Sequence, residues 1–178
     1  MMELPEVSIG RGKFKVFPTK YALLFMVWYS RNSSIRLYRL SVITYISSHV
    51  IRYQYEIPPI ISKSLLNDLM GLVRDGYLEL LPSNGRYVLR VTDKGRHMIR
   101  EFFAMGDEYV LFGDYLITKL KDLLNELSRI INAYQDMDLP SLLSIAFREE
   151  SIRERDFVSD VLKDLALDLR SPCENRLG

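Results

Sequence analysis

The chain has little cysteine and histidine and no long apolar run. It has 178 residues but a single cysteine, Cys173, so no disulfide can form within it. Its longest apolar run, from Tyr21 to Tyr29, has nine residues, whereas about 20 are needed to cross a bilayer. The first 20 residues contain no apolar stretch of the kind that a secretory signal peptide carries. We therefore expect a cytoplasmic protein without a membrane partner.

Catalytic and cofactor-binding motifs are also missing from the sequence. It contains no H-E-x-x-H, no G-x-S-x-G, no glycine-rich phosphate loop and no cysteine pair. His49 and His97 are far apart in the sequence, whereas a metal site needs several converging ligands. The sequence therefore predicts that the protein is not an enzyme and that it uses no metal and no cofactor.

Charge is nearly balanced in total but unevenly distributed along the chain. The net charge is +1, and the 48% of hydrophobic residues is ordinary for a globular protein. Residues 1–60 contain 8 Lys and Arg against 3 Asp and Glu, residues 61–105 contain 7 against 5, and residues 106–178 contain 9 against 15. Since a basic segment attracts anions and an acidic one repels them, the first three-fifths of the chain is the part expected to meet an anionic partner.

The N-terminal segment, residues 1–18, is basic. Its cations alternate with apolar residues, a pattern equally consistent with a short edge strand or a loosely packed arm: Arg11, Lys13 and Lys15 alternate with Phe14, Val16 and Phe17. Pro18-Thr19 then precedes an apolar run, which predicts a first helix from about Lys20 to Ser30.

The second segment, which ends near His49, carries conflicting signals. Apolar residues recur near helical spacing from Leu37 to Ile46, which predicts a helix. Residues 42–46 are nevertheless rich in β-branched and aromatic side chains, whose local propensity favours a strand. Both alternatives remain open from the sequence.

The clearest pattern lies between Ser62 and Met105. A helix capped by Ser62 or Ser64 carries a broad apolar face and ends before Gly76. Two short strands, residues 77–81 and 86–91, follow around an Asn-Gly pair that suits a tight turn. Thr92 then caps another helix. Alternation in the hairpin sends five apolar residues inward and leaves Glu79, Arg86 and Arg90 outside; the five are Leu78, Leu80, Tyr87, Leu89 and Val91.

Residues 106–170 are predicted to form a helical region. A long helix carries an apolar stripe whose members are 3 or 4 residues apart: Ile117, Leu120, Leu124, Leu127, Ile131 and Tyr134. We expect a short helix from Asp138 to about Phe147, an amphipathic helix from Ile152 to Leu169, and a flexible tail over residues 171–178. The stripe is wider than a coiled-coil seam, so part of it should pack on its own domain while the remainder can pair with a second copy.

The order helix, helix, helix, hairpin, helix is that of a winged helix-turn-helix domain. The segment from Leu65 to Glu79, followed by that from Arg86 to Arg96, closely resembles the recognition-helix and wing signature of prokaryotic winged-helix regulators. We therefore expect a mainly α (α+β) chain, with a winged helix-turn-helix domain and a two-stranded wing over residues 19–105 and a C-terminal helical extension. The resemblance implies a transcriptional regulator that dimerises through its long helix.

A second resemblance covers more of the chain. The segments from Tyr55 to Ile60 and from Asp138 to Phe147 look like those of the YwgA-type and SocA/Panacea-type proteins. Members of that group carry a winged-helix-like core with added C-terminal helices, and some serve as antitoxins or adaptors. This resemblance implies the alternative function, a protein-interaction module without sequence-specific DNA binding.

If the partner is double-stranded DNA, the candidate contacts fall in three groups. They are Lys63, Ser64, Asn67 and Arg74 on the third helix, Asn84, Arg86 and Arg90 on the wing, and Arg11, Lys13 and Lys15 in the N-terminal segment. An amide such as that of Asn67 pairs with adenine, and cations and hydroxyls hold phosphate. Asp68 argues the other way, because a carboxylate repels phosphate. Arg86 and Arg90 can equally pair with Glu79 across the hairpin.

Overall fold

Strands from distant parts of the chain combine into two β-sheets, with helices between and around them. The computed structural model describes residues 4–56, 60–113 and 116–148. The strands are β1 (Glu6–Ile9), β2 (Gly12–Phe17), β3 (Ser34–Arg36), β4 (Leu78–Ser83), β5 (Arg86–Val91), β6 (Tyr109–Phe112) and β7 (Leu116–Lys119). The helices are α1 (Thr19–Tyr29), α2 (Leu37–Ile46), α3 (Lys63–Arg74), α4 (Asp93–Ala104) and α5 (Leu120–Tyr134), and residues 139–148 are helical as well.

The first sheet has the strand order β1-β2-β6-β7. β1 and β2 form an antiparallel hairpin, β6 and β7 form another, and β2 runs parallel to β6 with Phe17 opposite Phe112. A parallel pair needs a long connection, and here the connection contains everything from α1 to α4. The basic residues of the N-terminal segment therefore lie on a hairpin, which is the strand alternative of the two that the sequence allowed.

The second sheet has the order β3-β5-β4, so β5 is its central strand. β4 and β5 pair over their full lengths, from Leu78 opposite Val91 to Ser83 opposite Arg86. The short β3 covers only the segment of β5 from Val88 to Arg90. The far end of the β4–β5 hairpin consequently extends beyond the three-stranded part of the sheet.

The predicted fold class is wrong. The pattern of elements predicted a mainly helical winged helix-turn-helix domain, whereas the structure is an α+β fold with two sheets, in which 52% of the described residues are helical and 25% are strand. The predicted two-stranded wing belongs to a three-stranded sheet, because β3 pairs with β5. The first sheet takes in both the predicted arm and residues assigned to the helical extension. Strands of four residues, such as β6 and β7, show too little alternation to be recognised in a sequence.

The C-terminal region differs from its prediction at its start. The long helix begins at Leu120 because Ile117, predicted as its first apolar position, pairs with Leu111 of β6 in strand β7. Asp138 accepts a hydrogen bond from the backbone N–H of Ser141 at 2.9 Å, just ahead of the helical residues 139–148. The helix predicted from Ile152 to Leu169 and the tail lie outside the described residues.

Helix α1 lies at the centre of the core. All residues from Ala22 to Val27 are fully buried, because α1 packs against α5, α3 and β5. A helix that is apolar all round has to be covered all round, which accounts for the longest apolar run in the sequence. None of the helices in the described residues is long and apolar enough to cross a membrane.

A cluster of aromatic rings fastens the first sheet to the helices. Phe17, at the end of β2, is 1% exposed. Its ring centroid lies 5.1 Å from that of Phe102 in α4, 6.0 Å from that of Phe112 in β6 and 6.3 Å from that of Phe25 in α1. The rings are tilted or edge-to-face, the arrangements that aromatic pairs favour.

Helix α2 resolves the conflict between periodicity and propensity in favour of the helix. Every residue from Leu40 to Ile46 is buried, and packing of this extent overrides the local preference of β-branched residues for a strand. Thr44 satisfies its hydroxyl within the helix, by donating to the carbonyl oxygens of Leu40 at 3.0 Å and Ser41 at 2.9 Å. The polar side chain therefore fits the buried helix.

Replacing Phe17 by alanine should destabilise the protein strongly. The substitution removes the ring that β2, α1, α4 and β6 share, and large-to-small changes of a buried Phe cost about 3–5 kcal/mol. Urea denaturation measures the free energy of unfolding. Phe147→Ala is the matched control, because Phe147 is 47% exposed and its loss should change stability by no more than about 0.5 kcal/mol. Equal losses in the two variants would contradict the central position of Phe17.

Two glycine-to-alanine substitutions should change stability in opposite directions. A Cβ at Gly95 would lie 2.3 Å from the carbonyl oxygen of Tyr77, whereas a Cβ at Gly71 would meet nothing within 4 Å. Gly95→Ala should therefore cost about 1–3 kcal/mol through overpacking. Gly71→Ala, inside α3, should add about 0.5–1 kcal/mol by restricting the unfolded chain. Thermal unfolding of both variants measures the shifts, and shifts of the same sign would contradict the packing described for Gly95.

Candidate nucleic-acid interface

Helix α3 presents one polar face to solvent. The hydroxyl of Ser62 caps the helix by accepting the backbone N–H of Leu65 at 3.3 Å. Leu65, Leu69 and Leu72 turn into the core. The opposite face carries exposed residues at spacings of 4, 3 and 4, which we name the α3 stripe: Lys63, Asn67, Met70 and Arg74. Three of the four predicted DNA contacts of this helix thus share one face.

The remaining polar residues of α3 lie beside the stripe. Ser64 is exposed, with its hydroxyl 3.1 Å from that of Ser62. Asp68, the residue expected to repel phosphate, accepts a hydrogen bond from the Tyr53 hydroxyl at 2.7 Å and is half-buried. Burial, together with this hydrogen bond, raises the pKa of Tyr53 well above its ordinary value, so the hydroxyl keeps its proton and continues to donate. The carboxylate of Asp68 is therefore engaged away from the stripe.

The cations of the stripe are weakly bound or without an ionic partner. Lys63 Nζ lies 3.2 Å from Glu56 Oε1, and the two side chains are 83% and 71% exposed. A pair this exposed contributes at most about 1 kcal/mol, so Lys63 can exchange Glu56 for another anion. Arg74 forms no ion pair with any residue that the structure describes.

The tip of the β4–β5 hairpin projects from the core. Asn84 and Gly85 have positive φ angles of 48° and 71°, a conformation that Asn and Gly adopt most readily and that tight hairpin turns require. Tyr87 was predicted to point inward, and that prediction is wrong, because its side chain is 56% exposed. The reason is its position. Tyr87 pairs with Pro82, beyond the segment of β5 that pairs with β3, and its neighbours from Pro82 to Arg86 are all exposed.

The two arginines on β5 differ in their surroundings. Arg90 Nε lies 2.5 Å from Glu79 Oε1, on the directly opposite position of β4. The hydrogen bond to Glu79 and its negative charge raise the pKa of Arg90. Arg86 is exposed, and none of the described carboxylates pairs with it. The alternative of a cross-strand pair therefore holds for Arg90, whereas Arg86 is left for other anions.

Arg86 lies near two arginines that no sequence pattern singled out. Arg36, at the end of β3, and Arg39, in the first turn of α2, share a cleft with Leu66 of α3 and with the hairpin tip. We name this surface the arginine cleft. Lys63, Ser64 and Asn67 line a second concavity with residues 54–56. The N-terminal half of α3 thus separates two concave surfaces, with cations on both sides. The only sequence signal for Arg36 and Arg39 was the basic excess of residues 1–60.

The cations of the N-terminal segment belong to the other sheet. Arg11 lies at the turn between β1 and β2 and Lys13 lies on β2, both exposed. Lys15 Nζ is 2.5 Å from Glu108 Oε2, so its charge is partly balanced. The structure therefore groups Lys63, Asn67, Arg74 and Arg86 around α3. The three cations of the N-terminal segment lie on the β1–β2 hairpin instead.

The apolar stripe of the long helix is core. Leu120, Leu124, Leu127 and Ile131 are at most 2% exposed, and Tyr134 is half-buried against the same core. α5 packs on α1 of its own chain. Ile117 lies outside this helix, in β7, and is 42% exposed. The stripe residues of α5 consequently offer no free face to a second copy, and a dimer would have to use another surface.

Comparison with known proteins assigns no family. No protein-family model matches the sequence, and neither the curated proteins nor the solved structures give a significant match. The resemblance to the YwgA-type and SocA/Panacea-type proteins stays a prediction.

Proposed function

We propose that the chain is a DNA-binding protein that regulates transcription, and that it holds double-stranded DNA with the α3 stripe and the tip of the β4–β5 hairpin. One observation carries the proposal. Arg36, Arg74 and Arg86 stand around a solvent-facing helix, and no carboxylate among the described residues pairs with them. A group of cations without neighbouring carboxylates creates a positive potential that attracts polyanions.

The shape of α3 suits a major groove. Its 12 residues give it a length of about 18 Å, and the B-DNA major groove, about 12 Å wide, admits one helix. Asn67 lies in the middle of the stripe, where its amide can pair with adenine. Lys63 and Arg74 stand at the two ends, where phosphates of the groove walls come within reach.

The hairpin tip supplies the second contact. Asn84, Arg86 and Tyr87 are exposed at the end of a two-stranded segment. Arg86 shares the arginine cleft with Leu66 of α3, so the tip and the helix lie on one continuous surface. We expect Arg86 to contact a phosphate next to the groove that α3 occupies, with Arg36 behind it.

A protein-interaction module is the second candidate, and one observation favours it. Met70 is 40% exposed on the α3 stripe, and Tyr87 is 56% exposed on the hairpin tip. Methionine and tyrosine are enriched in protein interfaces relative to other surfaces. A module of this kind would bind a partner protein through the same face and show no salt-dependent affinity for DNA.

Binding to duplex DNA should weaken steeply with salt. Lys63, Arg74, Arg86 and Arg36 allow about four phosphate contacts, which predict a loss of about 10²-fold in affinity between about 50 and 200 mM salt. Fluorescence anisotropy with a labelled random-sequence duplex of about 30 base pairs measures it, and an unlabelled single strand of the same sequence is the competitor control. Undetectable binding at the lowest salt would contradict the proposal and favour the interaction module.

Substitutions of the two β5 arginines should separate a DNA contact from a structural pair. Arg86→Gln should lower the slope of log affinity against log salt by about one, the effect of losing a single phosphate contact. Arg90→Gln, four residues along the same strand, is the matched control and should leave the slope nearly unchanged, because Glu79 already holds that guanidinium. Equal changes in the two slopes would show that the hairpin tip makes no specific contact.

A further inference from the structure

The arginine cleft has the size and the walls of a small-molecule site. Its volume is about 450 Å³, within the roughly 300–1,000 Å³ of ligand pockets. Four half-buried apolar side chains line it: Leu37 of α2, Leu66 of α3, Ile61 and Leu139. Tyr38 and Tyr87 add two aromatic rings, and both rings are partly in contact with solvent. An apolar molecule with flat faces would remove this surface from water.

Three guanidinium groups line the same cleft, and they differ in how far their charge is balanced. Arg39 is held in place by donating to the carbonyl oxygens of Gln135, at 3.2 Å, and Met137. It also contributes to lowering the pKa of Asp138, after the larger effect of the hydrogen bonds from Ser141. Arg36 and Arg86 are exposed, and within the described residues neither forms an ion pair.

No described residue that lines the arginine cleft is Asp or Glu. Two unbalanced guanidinium groups beside apolar walls therefore specify the ligand in two respects. The charge calls for an anion, and a planar guanidinium fork matches a carboxylate, sulfonate or phosphate group through two parallel hydrogen bonds. The walls require the rest of the molecule to be apolar.

We infer that the arginine cleft binds a small organic anion in which one acidic group is joined to a flat apolar body of one or two rings. Arg36 and Arg86 hold the acidic group, and Leu66, Leu37 and Ile61 receive the body. The site shares Arg36 and Arg86 with the proposed DNA contact. The ligand is nevertheless held by the protein alone, so its binding can be measured without DNA.

A calorimetric titration of the full chain with sodium 2-naphthoate tests the inference without DNA. 2-Naphthamide, which has the same rings and no charge, is titrated in parallel. We expect the naphthoate to bind at least about tenfold more tightly, because hydrogen bonds to an ionised group are roughly twice as strong as those between neutral groups. Equal affinities for the two compounds, or no binding of the naphthoate, would overturn the inference.

Three substitutions then locate the site. Arg36→Gln and Arg86→Gln should each weaken naphthoate binding by about tenfold and leave the binding of naphthamide unchanged, since only the charge contact is lost. Arg74→Gln removes the same charge from the α3 stripe, outside the lining of the cleft, and should alter neither affinity. All three residues are exposed, so folding is preserved. An equal loss in Arg74→Gln would mean that net charge, and not the cleft, governs binding.

Discussion

The rest of the structure depends on the packing of the Phe17 ring in the core. It ends β2, and its ring contacts α1, α4 and β6 through Phe25, Phe102 and Phe112. Pro18 follows it directly as the N-cap residue of α1, so the central helix leaves the first sheet at a fixed point. α1 then packs against α3, α5 and β5, which sets the places of the exposed helix and of the hairpin. An interior aromatic contact thus arranges surface cations that it never touches.

Elements whose stabilising contacts are local could be predicted from the sequence. Ser62 and Thr92 cap their helices, because each hydroxyl accepts the backbone N–H of the residue three positions later. Asn84-Gly85 forms the expected turn. Pairing between distant segments could not be predicted. The parallel pair of β2 and β6 joins residues about 95 positions apart, and β3 has only three residues, so the fold class followed from an incomplete set of strands. Tyr87 marks the same limit, because alternation assigns a face of a strand without showing whether the core extends beneath it.

The residues of the candidate site that share one face of α3 could be predicted from helical spacing. Which cations lack a carboxylate partner could not be predicted from the sequence. Lys63, Asn67 and Arg74 follow from the period of α3. Arg86 and Arg90 are indistinguishable in the sequence, and only the register of the hairpin places Glu79 opposite one of them. A basic excess in the first 60 residues indicated cations without telling Arg36, which lines a cleft, from Lys15, which has a carboxylate at 2.5 Å. A count of charges along the sequence shows neither which cations are paired with a carboxylate nor where on the surface they lie.

The outer end of the β4–β5 hairpin has a consequence for how this protein can change. Residues 82–87 are all exposed and lie past the last pairing with β3, so their side chains carry none of the core. Pro82, Ser83, Arg86 and Tyr87 can be exchanged while Asn84-Gly85 keeps the turn, and the turn keeps the register of the hairpin. Helix α3 and the interior would keep their sequence, and these four tip positions would be free to diversify. Evolution or design can therefore alter what the surface recognises while the stability of the fold stays nearly unchanged.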